Sequence, residues 1–77
     1  MDRGVSERGD MYVDLGGKRR VTVTTIKGVG YVDLRKFWGY EGDLKPGKKG
    51  IMLSQEQWET LKRHTNTIDS FIAAVDE

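Results

Sequence analysis

The sequence of 77 residues contains no cysteine, one histidine and one proline. It therefore cannot form a disulfide, and it has no Cys/His cluster for a structural zinc ion. Very small domains often depend on such supports because their hydrophobic cores are thin, and this chain has only two Phe, two Trp and three Tyr. Oligomerisation is the remaining means of support, so we expect this chain to associate with another.

Long hydrophobic runs are also missing. No uncharged apolar stretch approaches the ~20 residues that a membrane-spanning helix requires. The first residues, Met1, Asp2 and Arg3, do not begin a signal peptide. We therefore expect a soluble, intracellular protein, and its ordered apolar patterns argue against a disordered chain.

The charges are unevenly distributed, although the whole chain carries only +1. Residues 1–17 carry a net charge of −2 and residues 50–77 a net charge of −3. Residues 18–49 hold nine basic and three acidic residues, a net charge of +6. This middle segment predicts a surface that binds a polyanion.

Alternating apolar and polar residues predict a sheet of short strands. The strand candidates are Met11–Leu15, Arg19–Ile26, Val29–Trp38 and Ile51–Leu53. Gly16–Gly17 and Lys27–Gly28 are suited to the tight turns that join strands. Residues 1–10 show no periodicity, so we expect a flexible N-terminal tail with order beginning near Met11.

The alternation also predicts the two faces of the sheet. Val32 and Leu34 point to one face, which we expect to be buried under a helix. Arg35, Tyr31 and Thr24 then share the opposite, open face.

Residues 39–49 are rich in glycine and contain the only proline, which predicts a long loop with a type II turn at Pro46–Gly47. Gly42–Lys49 partly matches a phosphate-binding P-loop, but Lys49 stands where a magnesium-binding Ser or Thr is needed. Pro46 also removes a backbone N–H from the would-be phosphate cradle. We therefore reject nucleotide hydrolysis.

Ser54 and Gln57 form a capping-box signature that predicts the start of one C-terminal helix. An apolar stripe follows with helical spacing. Its residues are Trp58, Leu61, Thr65, Ile68, Ile72 and Val75. The stripe is about 30 Å long, more than one small sheet needs, so we interpret it as a dimer interface. The alternative is a helix that packs only on its own sheet.

The sequence offers little support for catalysis. His64 is the only imidazole and falls on a polar helix face, which favours an exposed residue over a ligand or general base. Asp33, Glu41 and Asp43 form only a weak pattern for magnesium. We expect no enzyme activity, no metal and no cofactor.

Basic residues interleaved with aromatic rings on a β surface are typical of proteins that bind single-stranded nucleic acid. Tyr31, Arg35 and Trp38 lie on one strand, and Lys45, Lys48 and Lys49 follow in the adjacent loop. Each also has a structural alternative, because Tyr31 could pack at an edge, Trp38 could fill the core, and the lysines could solubilise a loop.

Three motifs together resemble a known family. They are Val32-Asp-Leu-Arg-Lys-Phe-Trp38, Leu44-Lys-Pro-Gly-Lys-Lys-Gly-Ile-Met-Leu53 and Glu56-Gln-Trp58. In this order and spacing, over residues 11–75, the chain resembles the single-stranded-DNA-binding C-terminal domain of the transcriptional coactivator positive cofactor four. The resemblance implies an α+β fold in which a curved four-stranded antiparallel sheet precedes one helix. It further implies a homodimer joined through the helices, with residues 11–77 as the binding and dimerisation domain.

The resemblance also implies a DNA surface. Its residues are Lys27, Arg35, Trp38, Pro46, Lys48 and Lys49, with Arg35 and the lysines on phosphates and Trp38 stacking on a base. Ile26 stands where the family usually has an aromatic residue, Thr24 where a basic residue is common, and Val29 where a lysine is expected. We hypothesise that Tyr31 supplies the missing ring from the same face.

The leading interpretation is a dimer that binds single-stranded or melted DNA without sequence preference, in transcription or in replication, recombination and repair. The alternative is a coactivator that acts mainly as a bridge between proteins, for example polymerase and activator. We expect the protein to be DNA-associated, in the nucleus of a eukaryote or in the cytoplasm and nucleoid of a bacterium or phage.

Overall fold

A computed structural model describes residues 2–76 and places a five-stranded antiparallel sheet before two helices, an α+β arrangement. The strands lie in the sheet in chain order. They are β1 (Arg3–Val5), β2 (Met11–Gly16), β3 (Arg19–Ile26), β4 (Val29–Tyr40) and β5 (Asp43–Leu53). The helices are α1 (Gln55–Arg63) and α2 (Thr65–Asp76). The expectation of four strands and one helix is therefore wrong in both counts for this part of the chain.

The turns on either side of β3 form as the sequence predicts. Gly17 and Lys18 have φ values of 61° and 62°, and Lys27 and Gly28 have values of 51° and 79°. Two consecutive residues with positive φ match the right-handed twist of antiparallel strands, which favours tight hairpins at both places. The bounds of β3 agree with the predicted strand.

The additional strand, β1, lies in the segment predicted to be a flexible tail. Arg3 pairs with Val13 and Val5 pairs with Met11, so regular structure begins at Arg3 instead of Met11. Ser6 closes the intervening turn, because its Oγ accepts from the backbone N–H of Asp10 at 3.1 Å. A segment too short and polar to show periodicity becomes a strand because β2 offers it an open edge.

Strand β5 replaces most of the predicted loop. Gly39 and Gly42, with φ values of 106° and 87°, allow β4 to turn directly into β5. Pro46 is tolerated because β5 is an edge strand. Gly47 does not adopt a positive φ, so the predicted type II turn at Pro46–Gly47 is wrong.

Strand register defines two faces of the sheet, because directly opposite residues share a face. We call one the apolar face; its residues are Val13, Val21, Val23, Val32, Leu34, Ile51 and Leu53. We call the other the polar face; its residues are Tyr12, Asp14, Arg20, Thr22, Thr24, Tyr31, Asp33 and Arg35. The predicted separation of Val32 and Leu34 from Tyr31 and Arg35 is confirmed.

Helix α1 begins as predicted. The Ser54 side chain accepts from the N–H of Gln57, and the Gln57 side chain accepts from the N–H of Ser54. The helix contacts β4 and β5, and Gln55 donates to the carbonyl of Gly30 at 3.3 Å. Val32 is the one buried apolar residue among residues 2–76, so the core of the single chain is small.

The helix breaks at His64, whose φ of −112° and ψ of 14° end α1. Of the other described elements, α2 contacts only α1. Trp58 and Leu61 on α1 are half-buried, whereas Ile68, Ile72 and Val75 on α2 are exposed. The apolar stripe therefore continues onto α2, where its side chains stay exposed in the single chain.

Candidate nucleic-acid interface

The basic residues of the middle segment are mostly free of acidic partners. Within residues 2–76, seven of the nine form no ion pair, the exceptions being Arg35 with Asp33 and Lys45 with Asp43. Register also places like charges directly opposite each other, Arg19 against Lys36 and Arg20 against Arg35. Such pairs repel, so a bound polyanion would relieve them.

The most exposed combination of ring and cations lies where β4 and β5 approach their shared turn. Trp38 is 61% exposed and pairs with Lys45. A shallow groove beside it is lined by Lys36, Phe37, Trp38, Gly47, Lys48 and Lys49. A solvent-facing indole surrounded by lysines can stack on a base while the ammonium groups contact phosphates.

Trp38 does not share a face with Tyr31 and Arg35. The Phe37 ring lies 4.6 Å from the guanidinium of Arg20, which places Phe37 on the polar face. Neighbouring side chains in a strand alternate, so Trp38 points to the opposite side of β4. The single surface expected from the sequence is thus divided between the two sides of the sheet.

The polar face is also less open than expected. Thr24 is only 7% exposed and Thr22 only 9%, and Tyr31, opposite Thr24, is half-buried. Ile26 and Val29 lie at the end of this face with 46% and 50% exposure. The open part of the polar face is therefore the β3–β4 hairpin end, where Lys27 occupies the turn.

Arg35 is held within the fold. Its Nε donates to both carboxylate oxygens of Asp33, at 3.0 and 3.2 Å, and one Nη donates to the carbonyl of Gly47 at 2.9 Å. The side chain is 22% exposed. Arg35 therefore braces β5 against β4, and the part of its charge available to a phosphate is reduced by Asp33.

The remaining predicted residues fall in two places. Pro46 lies opposite Phe37 and, with Lys48 and Lys49, is exposed on β5 near Trp38. Lys27 lies at the other end of β4, about 30 Å from Trp38 at the usual rise of a strand. A ligand that reached both ends would have to be an extended chain.

Sequence reasoning missed the aromatic cluster on the polar face. The Arg20 guanidinium lies 4.0 Å from the centre of the Tyr12 ring and 4.6 Å from that of Phe37. Alternation along β3 from Thr24 through Thr22 to Arg20 could have placed Arg20 on this face. The position of Tyr12 beside it required knowledge of the β2–β3 register.

Residues 2–76 contain neither a candidate metal site nor a membrane-spanning helix. Their His, Asp and Glu side chains form no group of three that could hold a metal ion. The helices of this region are too short or too polar to cross a membrane.

Known proteins resemble this chain in sequence and in structure. The family model described as Transcriptional Coactivator p15 (PC4) matches residues 13–64. The chain belongs to this family. It is 38% identical over 60 residues to the RNA polymerase II transcriptional coactivator KIWI of Arabidopsis thaliana, covering 78% of this chain and 56% of that protein. It is 37% identical over 71 residues to the coactivator SUB1 of Saccharomyces cerevisiae, covering 90% of this chain and 24% of that protein. The chain thus spans somewhat more than half the length of KIWI and about a quarter of the length of SUB1.

Solved structures of the family share the fold. A MoSub1 complex with single-stranded DNA aligns with a TM-score of 0.85 at 26% identity, covering 96% of this chain and 89% of that one. A second MoSub1–DNA complex aligns with a TM-score of 0.84, also at 26% identity, covering 96% of this chain and 95% of that one. The resemblance that the sequence motifs indicated is confirmed.

Proposed function

We propose that this protein binds single-stranded or melted DNA without sequence preference, as a homodimer. The observation that carries the proposal is the exposed Trp38 ring beside Lys36, Lys48 and Lys49. These cations have no carboxylate partner in the described chain, and phosphodiesters would supply the missing negative charge. Every base has a flat face that can stack on an indole, so such a surface does not depend on sequence.

The relatives support both the ligand and the process. MoSub1, which shares this fold, was solved as a complex with single-stranded DNA. KIWI and SUB1 are named as RNA polymerase II transcriptional coactivators. Transcription is therefore the process we assign first, with a DNA-associated, nuclear location in a eukaryote. Replication, recombination and repair also expose single strands and are the other settings for the same surface.

The exposed apolar surface supports the proposed homodimer. The chain exposes 6377 Å², about a third more than the roughly 4,800 Å² expected for a compact protein of this mass. Phe71 is 62% exposed, Ile72 54% and Val75 84%, while Val23 and Ile51 leave the apolar face open. A second copy would cover α2 and the part of this face around Val23 and Ile51, leaving the polar face and the β4–β5 turn end with Trp38 for DNA.

A fluorescence titration with oligo-dT tests the proposal. The chain has two tryptophans, so Trp58→Phe leaves Trp38 as the only indole. Stacking on thymine should quench its emission in proportion to the bound fraction. Native mass measurement of the same sample gives the number of protein chains and strands in the complex.

Trp38→Phe is the matched control, because it leaves only Trp58 on the helix. Its emission should stay nearly constant while binding, followed by anisotropy of a labelled strand, persists. Quenching in Trp38→Phe and none in Trp58→Phe would contradict the proposed surface. Equal affinity for intact duplex and oligo-dT would contradict the preference for single strands.

A protein bridge is the second candidate, favoured by the coactivator names of the relatives. Both activities could reside in one dimer. Neutral substitutions at Lys36, Lys48 and Lys49 separate them, because full cellular activity of this variant would favour the bridge. Loss of that activity together with oligo-dT binding would favour DNA.

A further inference from the structure

The two arginines that face each other on the polar face have different surroundings. Arg20 on β3 lies directly opposite Arg35 on β4. Arg35 is neutralised by Asp33 and donates to the carbonyl of Gly47. Arg20 forms no ion pair within residues 2–76. Asp14 lies opposite it on β2, but the Asp14 carboxylate accepts from the backbone N–H of Gly16 at 2.8 Å, so Arg20 keeps its positive charge.

Aromatic rings from both neighbouring strands surround the Arg20 guanidinium. Tyr12 approaches from β2, at 4.0 Å, and Phe37 from β4, at 4.6 Å. Stacking uses the flat faces of a guanidinium and leaves the N–H groups at its edge free to donate. The Nε atom is buried and has no hydrogen-bond partner among the described residues, so packing, not hydrogen bonds, holds the side chain.

The side chain is therefore fixed before any ligand binds. A guanidinium held in place by rings loses little conformational freedom when it forms two parallel bonds to one phosphate. A lysine at position 20 would keep the charge but could neither stack in this way nor donate in a fork.

We infer that Arg20, positioned by Tyr12 and Phe37, contacts a phosphodiester of the bound strand through the edge of its guanidinium. The inference rests on the proposed function and extends it, because it names a phosphate site on the polar face, separate from the Trp38 groove. Arg20 takes the phosphate-binding role that the sequence assigned to Arg35, and Arg35 mainly supports β5.

Two substitutions test the site by anisotropy with labelled oligo-dT over a range of salt. Arg20→Lys should weaken binding on the order of tenfold, the effect of one lost charge-assisted hydrogen bond, with the salt slope unchanged. Arg20→Gln should also reduce the slope of log K against log salt by about 0.7, the contribution of one phosphate contact. Arg63→Gln removes the same charge from the exposed last turn of α1, outside the proposed DNA surface, and should leave affinity and slope unchanged.

A measurement on the unaltered protein guards against misfolding of the variants. The side-chain N–H resonances of Arg20 should shift on titration with oligo-dT, whereas those of Arg63 should not. Parental affinity in Arg20→Lys, an unchanged slope in folded Arg20→Gln, or unshifted Arg20 resonances in the bound protein would each overturn the inference. Absence of oligo-dT binding by the parent protein would instead overturn the proposed function.

Discussion

Trp38 is the residue whose side chain contributes most to the proposed surface, because its ring is exposed beside Lys36, Lys48 and Lys49. Trp38→Ala should reduce the binding free energy for oligo-dT by about 1 to 3 kcal/mol, the usual value of one base–aromatic stack. Anisotropy with a labelled strand measures the change. Tyr40→Ala, which removes another exposed ring beyond Trp38 on β4, is the comparison. An equal loss in both variants would show that the stack is not specific to Trp38.

Tyr31 presents a different case because it is half-buried opposite Thr24. If Tyr31 replaces the aromatic residue missing at Ile26, then Tyr31→Ala should weaken oligo-dT binding by about 1 kcal/mol, the lower end for a stacked base. Thermal unfolding of the same variant measures the cost to the fold. A folded Tyr31→Ala protein with parental affinity would remove Tyr31 from the site.

At the scale of elements, the β4–β5 pair depends on Gly47. A Cβ added at Gly47 would lie 2.8 Å from the carbonyl oxygen of Lys36, a backbone atom that cannot move without breaking the pair. Gly47→Ala should therefore lower the free energy of unfolding by roughly 1 to 3 kcal/mol, as measured in urea. The Trp38 ring lies 3.8 Å from the same point, an ordinary van der Waals distance, so the clash is with the backbone of β4.

Gly30→Ala is the control for this substitution. Gly30 lies on the same strand as Trp38 and has an ordinary φ, and an added Cβ would approach only the end of the Gln55 side chain, at 3.4 Å. We expect a change within about 0.5 kcal/mol. Equal destabilisation in the two variants would show that any side chain on a strand glycine is costly here.

Helix α2 carries the prediction about assembly. Ile72 is 54% exposed on a helix that contacts none of the strands described in residues 2–76. Ile72→Asp would place a charge in the proposed interface, so native mass measurement should show a dimer for the parent and a monomer for the variant. Ser70→Asp adds the same charge off the apolar stripe and should leave the dimer intact. A monomeric parent protein would contradict the interface.

At the scale of the whole molecule, the cations act together on a bound strand. If each strand meets about four to six basic groups, log K should fall with log salt at a slope between about −3 and −4. Anisotropy titrations at several salt concentrations give this slope. Binding that does not change with salt would exclude the phosphate backbone as the main contact.

The shape of the single chain also suggests that the dimer is the folded unit. Its radius of gyration is 14.2 Å, compared with about 11.5 Å for a compact domain of this length. Only one apolar side chain is buried in residues 2–76. We therefore expect stability to rise with protein concentration, because association would supply much of the core.

Sequence patterns were sufficient where the structure depends on near neighbours in the chain. The Val–Thr alternation gave β3 its bounds, Lys27–Gly28 gave a hairpin turn, and Ser54 with Gln57 gave the start of α1. Each feature depends on backbone sterics or on hydrogen bonds within a few residues. The family motifs and the basic middle segment likewise required no coordinates.

Tertiary structure decided the features that depend on which strands become neighbours. Pairing with β2 and β4 turned a polar tail and a glycine-rich loop into β1 and β5. Register placed Arg20 opposite Arg35 and beside the rings of Tyr12 and Phe37 on the neighbouring strands. The sequence determined which charges and rings the protein has, but only the sheet could determine which of them meet, because contacts between distant residues are set by strand register.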